Sequence, residues 1–284
     1  MSNKIVFGAS GQLGQCLKKV VGEDNLSGYI FPEKAEANII DTEAIEKLFI
    51  KYNPAYCINC AAYTAVDKAE SEKDAAYAVN KTGVENLAAL CNSYDVILIH
   101  ISTDFVFAGN GNEPLTEKSL TRPLGVYGES KLAGELVIPQ LLNKYFIIRT
   151  GWLYSEFGNN FVKTILRIGK ERGEIKVIND QTGTPTYAID LAKAITQIIT
   201  LGGVKYGVYH YSNEGTATWF TFAEAIHRLA KTGVNVIPIS TSEYPTPAKR
   251  PAYSVMDKSK IKQIFGIRIP QWQESLEVCI DKLR

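Results

Sequence analysis

The chain has 284 residues, 45% of them hydrophobic and 21% charged, enough to bury a sizeable core in one large domain or two unequal ones. Lys plus Arg number 31 against 30 Asp plus Glu, so no global field draws the chain to nucleic acid or an anionic membrane; any anion must be gripped locally, and a small-molecule partner is favoured. No basic leader precedes the first strand pattern and no apolar run approaches the roughly 20 residues of a spanning helix, which predicts a cytoplasmic protein.

The first apolar run, Lys4 to Phe7, leads into Gly8-Ala9-Ser10-Gly11-Gln12-Leu13-Gly14 and a helical pattern from Gln12 to Val21. Strand, spaced glycines and helix is the order in which backbone N–H groups and a helix N-terminus meet a pyrophosphate. Glycine is needed there because a side chain would block the approach. The spacing is GxxGxxG, so the general GxGxxG fingerprint matches only in part. The next run, Tyr29 to Phe31, is not clearly followed by the acid that usually takes the ribose hydroxyls of NAD. Glu33 suits NADH and Lys34 suits the extra phosphate of NADPH, so the cofactor choice stays open.

Further along, helical and apolar segments alternate: Thr42 to Tyr52, Ala55 to Asn59, Asp74 to Tyr94, Val96 to Ser102, Ser130 to Leu142 and Tyr145 to Arg149. Such alternation predicts an α/β fold, a Rossmann-type doubly wound parallel sheet with helices on both faces. The long polar connections after Ser102 and Gly151 follow strand C-terminal ends, where these sheets bind ligands. Beyond residue 151 the rhythm weakens. Turn-rich stretches at 178–186 and 244–251 flank helices around Ile189 to Thr200 and Phe220 to Lys231. This predicts a cofactor-binding domain over 1–150 and a smaller substrate-binding lobe over 151–284, with an interleaved boundary.

Five scattered cysteines fit a reducing compartment. Cys57 and Cys60 spell CxxC, but residues three apart on a strand point to opposite faces, so the sulfurs diverge. His100 sits in an apolar run and reads as a satisfied core residue rather than a ligand.

Tyr127-Gly128-Glu129-Ser130-Lys131 puts a phenol and an ammonium one helical turn apart, on one face. A nearby cation favours the phenolate, which would lower the Tyr127 pKa towards the operating pH and make the phenol a usable proton donor. Carbonyl reduction has that need: hydride arrives at carbon and a proton must reach oxygen. Lys131 can also bond the nicotinamide ribose, and Thr103, at a strand end, can hold the same carbonyl. Arg250, beside Lys249 in a proline-framed loop, is a candidate for a diphosphate, since a planar guanidinium matches phosphate oxygens.

These residues, with Asn59 to Glu70, Ser102 to Phe107, Arg149 to Tyr154, Gly158 to Phe161, Asp180 to Thr186 and Pro245 to Pro251, resemble the extended short-chain dehydrogenase/reductase superfamily over nearly the whole chain. Within it the chain is similar to the dTDP-4-dehydrorhamnose reductase family. The resemblance implies NAD(P)H-dependent reduction of the C4 keto group of dTDP-4-dehydro-L-rhamnose. It makes Tyr127 the proton donor, Lys131 its partner and Thr103 the orienting hydroxyl. It places Gly8, Gly11, Gln12, Leu13 and Gly14 at the pyrophosphate, Asn38 and Ile39 on the adenosine side, and Ala61, Ala62, Tyr63 and Thr64 along the cofactor beyond. It lines the sugar pocket with Thr103, Asp104, Trp152 and Asn160. Some relatives hold magnesium through glutamates at a dimer interface; the matching positions here read Cys16 and, near Asp190, Ile189, so magnesium is not carried over, while a homodimer stays open.

Two other readings share this scaffold. Sugar-nucleotide dehydratases follow the threonine with an Asp-Glu pair, whereas Phe105 follows Asp104 here, and a phenyl ring cannot abstract a proton. An epimerase uses the same Thr, Tyr and Lys with retained NAD. A non-catalytic nucleotide-sensing subunit would be announced by loss of Tyr127 or Lys131, and both are present.

Overall fold

Along β1 (Asn3–Phe7), Val6 packs into one apolar cluster while Ile5 and Phe7 pack into another, all three without exposed surface. A strand buried on both faces needs helices on both, and the chain supplies them in alternation. The computed structural model describes residues 2–202 and 205–284. After β1 come α1 (Gln12–Glu23), β2 (Tyr29–Ile30), α2 (Thr42–Tyr52), β3 (Pro54–Asn59), α3 (Val66–Ala69), α4 (Lys73–Tyr77), α5 (Gly83–Ser93), β4 (Ile97–Thr103), α6 (Val126–Leu141) and β5 (Tyr145–Thr150). There follow β6 (Leu153–Tyr154), α7 (Phe161–Arg172), β7 (Glu174–Ile178), β8 (Thr182–Gly183), β9 (Thr186–Tyr187), α8 (Ala188–Leu201), β10 (Gly207–His210), β11 (Ala217–Thr218), α9 (Trp219–Ala230), β12 (Asn235–Ile239), α10 (Ser259–Phe265) and α11 (Trp272–Leu283).

The central sheet is six-stranded and parallel throughout, in the order β2-β1-β3-β4-β5-β10. Leu13, Leu17 and Val20 of α1 and the apolar face of α8 cover one side. Ile45, Leu48 and Phe49 of α2, Val84, Leu87 and Cys91 of α5, and Ile138 of α6 cover the other. Its sixth strand, β10, comes from beyond residue 151 and pairs with β5, while β7–β12, β8–β11 and β6–β9 form small two-stranded pieces outside it. No helix among the described residues is long and apolar enough to cross a membrane, and no group of three or more His, Cys, Asp or Glu among them is placed to hold a metal ion. Cys57 lies with Cys91 in the α5-side cluster and Cys60 packs against the α1-side cluster, so the CxxC sulfurs part across the sheet. Burial pushes both thiols up, towards the unreactive neutral form.

The single helix expected over 74–94 is three segments: α4, a wider π-type turn at Ala78–Thr82, and α5. The widened turn presents Asn80 to α6, where a Cβ on Gly134 would come within 2.1 Å of the Asn80 carbonyl oxygen. Helix α6 begins at Val126 rather than Ser130, so both Tyr127 and Lys131 lie on it. Gly125 offers no side-chain cap; Glu70 reaches across instead, its Oε1 accepting from the Val126 N–H at 3.0 Å. Further along α6, Glu135 meets Arg149 of β5 in a two-pronged pair, Nη2 to Oε2 2.6 Å and Nε to Oε1 2.9 Å, both residues only 4% exposed.

Removing one member of such a pair leaves the other charge buried and unpaired. Glu135→Ala should therefore lower the unfolding free energy by about 3–5 kcal/mol. Urea denaturation followed by far-UV circular dichroism checks this, and an unchanged midpoint contradicts the assigned role of the pair.

Candidate active site

The glycine loop meets steric demands that only glycine satisfies at two of its three positions. Gly8 has φ +77°, and a Cβ there would lie 2.5 Å from the Ala61 nitrogen, so the loop sits directly on the segment leaving β3. A Cβ on Gly14 would lie 2.3 Å from the Gly8 carbonyl oxygen, so α1 starts hard against the loop. Gly11, the N-cap of α1, meets nothing nearer than that same oxygen at 3.2 Å. The helix has no side-chain cap and no acid in its first turn, which leaves its N–H groups for an anion. These features fit a dinucleotide pyrophosphate. Leu13 is buried in the core, so only its backbone can face a phosphate, and the Gln12 side chain is tied to Asn160, Oε1 accepting from Nδ2 at 2.9 Å.

Asn38 and the buried Ile39 follow β2 at the same edge of the sheet. Asn38 Oδ1 accepts from the Ile40 N–H at 3.2 Å, and Asn86 of α5 donates to the carbonyl of Ile39 at 3.1 Å, fixing this loop. The segment Ala61, Ala62, Tyr63 and Thr64 leaves β3 and is held by a residue that sequence reasoning missed. Asn80 accepts from the Tyr63 N–H at 2.9 Å, and its amide nitrogen donates to the Tyr63 carbonyl at 3.1 Å and to Ser130 Oγ of α6 at 3.0 Å. One side chain thus ties the loop leaving β3 to the helix carrying Tyr127. No periodicity in the sequence marks it.

Thr103 ends β4 and hydrogen-bonds the phenol of Tyr127 in the first turn of α6. Thr103 Oγ1 also donates to Asp104 Oδ1 at 3.1 Å and accepts from the Phe105 N–H at 3.2 Å. Asp104 is 2% exposed, and burial raises its carboxyl to about 6 against its bonds to Ser254 and Thr103. A Cβ on Gly151 would come within 2.6 Å of that carboxylate, so Asp104 occupies space the glycine vacates. Phe105 packs edge-on against the Tyr127 ring, centroids 5.4 Å apart.

Lys131 is 2% exposed and donates to the Ile101 carbonyl at 2.8 Å. Burial brings its ammonium down to about 8, against the pull of Glu135. The expectation that Lys131 lowers the Tyr127 pKa is not met. Burial pushes the phenol up to about 12, opposed by the hydrogen bond with Thr103 and reinforced by Asp104. The physical reason is desolvation, which penalises a phenolate more than the local groups support it. At neutral pH the phenol is therefore protonated, the state a proton donor needs.

Three expected substrate contacts are placed differently from one another. Trp152 follows β5 with φ +49°, rare for a bulky residue, and stacks on Trp219 with centroids 3.5 Å apart and an interplanar angle of 6°. Asn160 caps α7, Oδ1 accepting from the Lys163 N–H at 3.2 Å, and its amide nitrogen is shared among Gln12, Ser155 and Phe157, so its side chain is engaged within the protein on the side of the glycine loop. Arg250 is half-buried in a bidentate pair with Asp67 of α3, 2.8 and 2.7 Å, and its Nη1 also donates to the Ala248 carbonyl. That pairing holds the Asp67 carboxyl below the usual carboxylate range. The guanidinium of the expected diphosphate contact is thus bound to the protein, and the loop carrying it is pinned to α3, just past the segment that leaves β3.

Residues 3–284 match the family described as the RmlD substrate binding domain. A dTDP-4-dehydrorhamnose reductase of Aggregatibacter actinomycetemcomitans is 40% identical, with 98% of each chain covered. The crystal structure of a dTDP-4-dehydrorhamnose reductase from Clostridium acetobutylicum superposes with a TM-score of 0.94 at 41% identity, 99% of both chains covered. The Bacillus anthracis dTDP-4-dehydrorhamnose reductase, solved in complex with NADP, gives a TM-score of 0.94 at 40% identity over 99% of both chains. With a family match spanning nearly every residue and relatives this close in sequence and fold, the chain belongs to the dTDP-4-dehydrorhamnose reductase family.

Proposed function

We propose that this chain reduces the C4 keto group of dTDP-4-dehydro-L-rhamnose to the alcohol of dTDP-L-rhamnose at the expense of NAD(P)H, acting in the cytoplasm as a step in making a sugar donor for polysaccharides. The observation that carries the reading is the placement of Thr103, Tyr127 and Lys131 at the C-terminal end of β4 and the start of α6, on the same edge of the parallel sheet as the uncapped glycine-loop helix that follows β1. The glycine loop, Asn38 and Ile39, and Ala61 to Thr64 hold the cofactor, which when bound supplies the hydride. Tyr127, protonated and desolvated, gives its proton to the oxygen that becomes the C4 hydroxyl. Thr103 orients the phenol, and Lys131 replaces the lost proton and meets the nicotinamide ribose. Asp104 and Trp152 border the sugar. The segments outside the six-stranded sheet form the substrate-side lobe.

The decisive assay supplies dTDP-4-dehydrorhamnose with NADPH or NADH and follows absorbance against product. One cofactor should be oxidised per sugar reduced; sugar conversion without net oxidation would point to an epimerase and overturn the reading. Tyr127→Phe should cut kcat by about a hundredfold or more while cofactor binding, measured by fluorescence titration, is retained. Unaltered turnover removes Tyr127 from the chemistry.

For Arg250, the pairing with Asp67 makes the prediction two-sided. If the guanidinium leaves Asp67 for the diphosphate, Arg250→Ala raises the sugar-nucleotide KM by about tenfold and Asp67→Asn, which weakens the competing pair, lowers it. A KM raised equally by both substitutions would assign the pair a purely structural role.

A further inference from the structure

Asn59 and His100 stand beneath Lys131 on neighbouring strands, in register with each other and without exposed surface. Their hydrogen bonds determine where the proton of the imidazole sits. The Ala61 N–H, which can only donate, points at Asn59 Oδ1 at 3.0 Å. The amide of Asn59 is thereby oriented with its NH2 towards His100 Nδ1, 3.1 Å away. Nδ1 must then accept. Burial and the nearby Lys131 hold this imidazole well below its ordinary pKa, so it is neutral and carries a single proton, which the Asn59 bond places on Nε2. Nε2 faces Lys131 Nζ at 3.4 Å, within reach of a hydrogen bond when one of the two nitrogens accepts.

We propose that His100, locked as the Nε2–H tautomer by Asn59, is a positioning residue that disfavours the ammonium form of Lys131 and favours the amine. An amine can accept from Nε2–H while donating to the Ile101 carbonyl; an ammonium can only donate, and meets the imidazole proton head-on. Among the described residues, the other titratable groups that act on Lys131 are Glu135 of its own helix, already engaged by Arg149, and Cys60 beyond β3, a neutral thiol; Tyr127 lies one turn earlier on the same helix. His100 is the one that opposes the charge by an oriented N–H.

The consequence rests on the function proposed above. When Tyr127 gives its proton to the substrate oxygen it is left a phenolate. The Lys131 ammonium then passes a proton to the phenolate and becomes the amine, which His100 stabilises by donating a hydrogen bond, and water returns the proton to Lys131. Restraint on the ammonium makes that transfer easier than it would be from an ordinary lysine, whose pKa lies about three units above neutrality.

The test begins with the imidazole itself. The chain has three histidines, His100, His210 and His227, so 15N-histidine labelling gives an assignable spectrum. His100 should show a protonated Nε2 and an unprotonated Nδ1, unchanged from pH 6 to 9; a protonated Nδ1 overturns the proposal. Asn59→Asp puts a carboxylate where it accepts from both Ala61 and Nδ1, so the tautomer inverts and Nε2 becomes an acceptor for the ammonium. The alkaline fall of kcat, which follows loss of the Lys131 proton, should then move up by about one pH unit or more. His100→Gln, whose amide oxygen can also accept from the ammonium, should move it in the same direction and serves if Asn59→Asp fails to fold. A lowered kcat with the inflection unmoved in the folded variants means a structural role only and overturns the proposal. Retained turnover in Tyr127→Phe would instead remove the functional reading on which the consequence rests, leaving the tautomer measurement standing.

Discussion

The rotation of α6 about its own axis decides whether this site exists, and the buried Glu135–Arg149 pair fixes that rotation. Helix side chains three and four residues apart share a face, so anchoring Glu135 on β5 sets Lys131 one turn back against β4 and Tyr127 one turn further, at the end of the sheet. Burying two charges costs desolvation that their attraction only partly offsets, so the pair is a weak source of net stability; its contribution is to make one placement of α6 much better than its neighbours. Two further contacts act on the same helix. Gly134 lets it lie directly on the Asn80 backbone, and Glu70 satisfies its first N–H where Gly125 cannot. A helix held at its start, its face and its middle has little freedom to drift, and a proton donor misplaced by about 1 Å loses much of its effect.

The legible part of the fold is the part whose strands are buried on both faces. Such strands read as short unbroken apolar runs, and Lys4 to Phe7, Ala55 to Asn59, Val96 to Ser102 and Tyr145 to Arg149 lie within a residue or two of β1, β3, β4 and β5. Beyond residue 151 most strands are two residues long, too short for a period of two to register, and β10 joins the sheet beside β5 across more than fifty residues of intervening chain. The start of α6 is hidden for another reason. Its first turn carries Tyr127, Gly128 and Glu129, of which Gly128 lies directly on the Phe105 backbone, and none of them continues an apolar periodicity, so the pattern emerges only at Ser130.

The site divides along the same line. Tyr127 and Lys131 are four residues apart on one helix, a relation that sequence carries directly. Asn80, Asn59 and His100 act through partners 17 to 50 residues away, and nothing local distinguishes them from ordinary core polar residues. His100 reads as a satisfied core histidine, and it is one; the sequence cannot say that one of the groups facing it is Lys131. Arg250 shows the converse. Its charge and proline frame are visible, but Asp67 stands 183 residues away, so a guanidinium that looks free in the sequence is paired in the fold.

Trp152 shows how the two halves of the chain are made to share one wall. A bulky residue at positive φ costs of order 1–3 kcal/mol, and a stacked aromatic pair returns about 0.5–1.5 kcal/mol beyond the area it buries. The stack on Trp219 therefore does not by itself hold the strained backbone. The second support is Gly183, where a Cβ would lie 2.6 Å from the indole, so the ring is clamped between β8 and the first residue of α9. Just before it, Gly151 gives up its side-chain volume to Asp104, the neighbour of Thr103. Sheet, strained residue and outer segments are consequently in contact through consecutive positions. A shift of the outer segments against the sheet must either move the indole or break its clamp, and in either case it is felt at Asp104, one residue from the hydroxyl that holds the phenol of Tyr127.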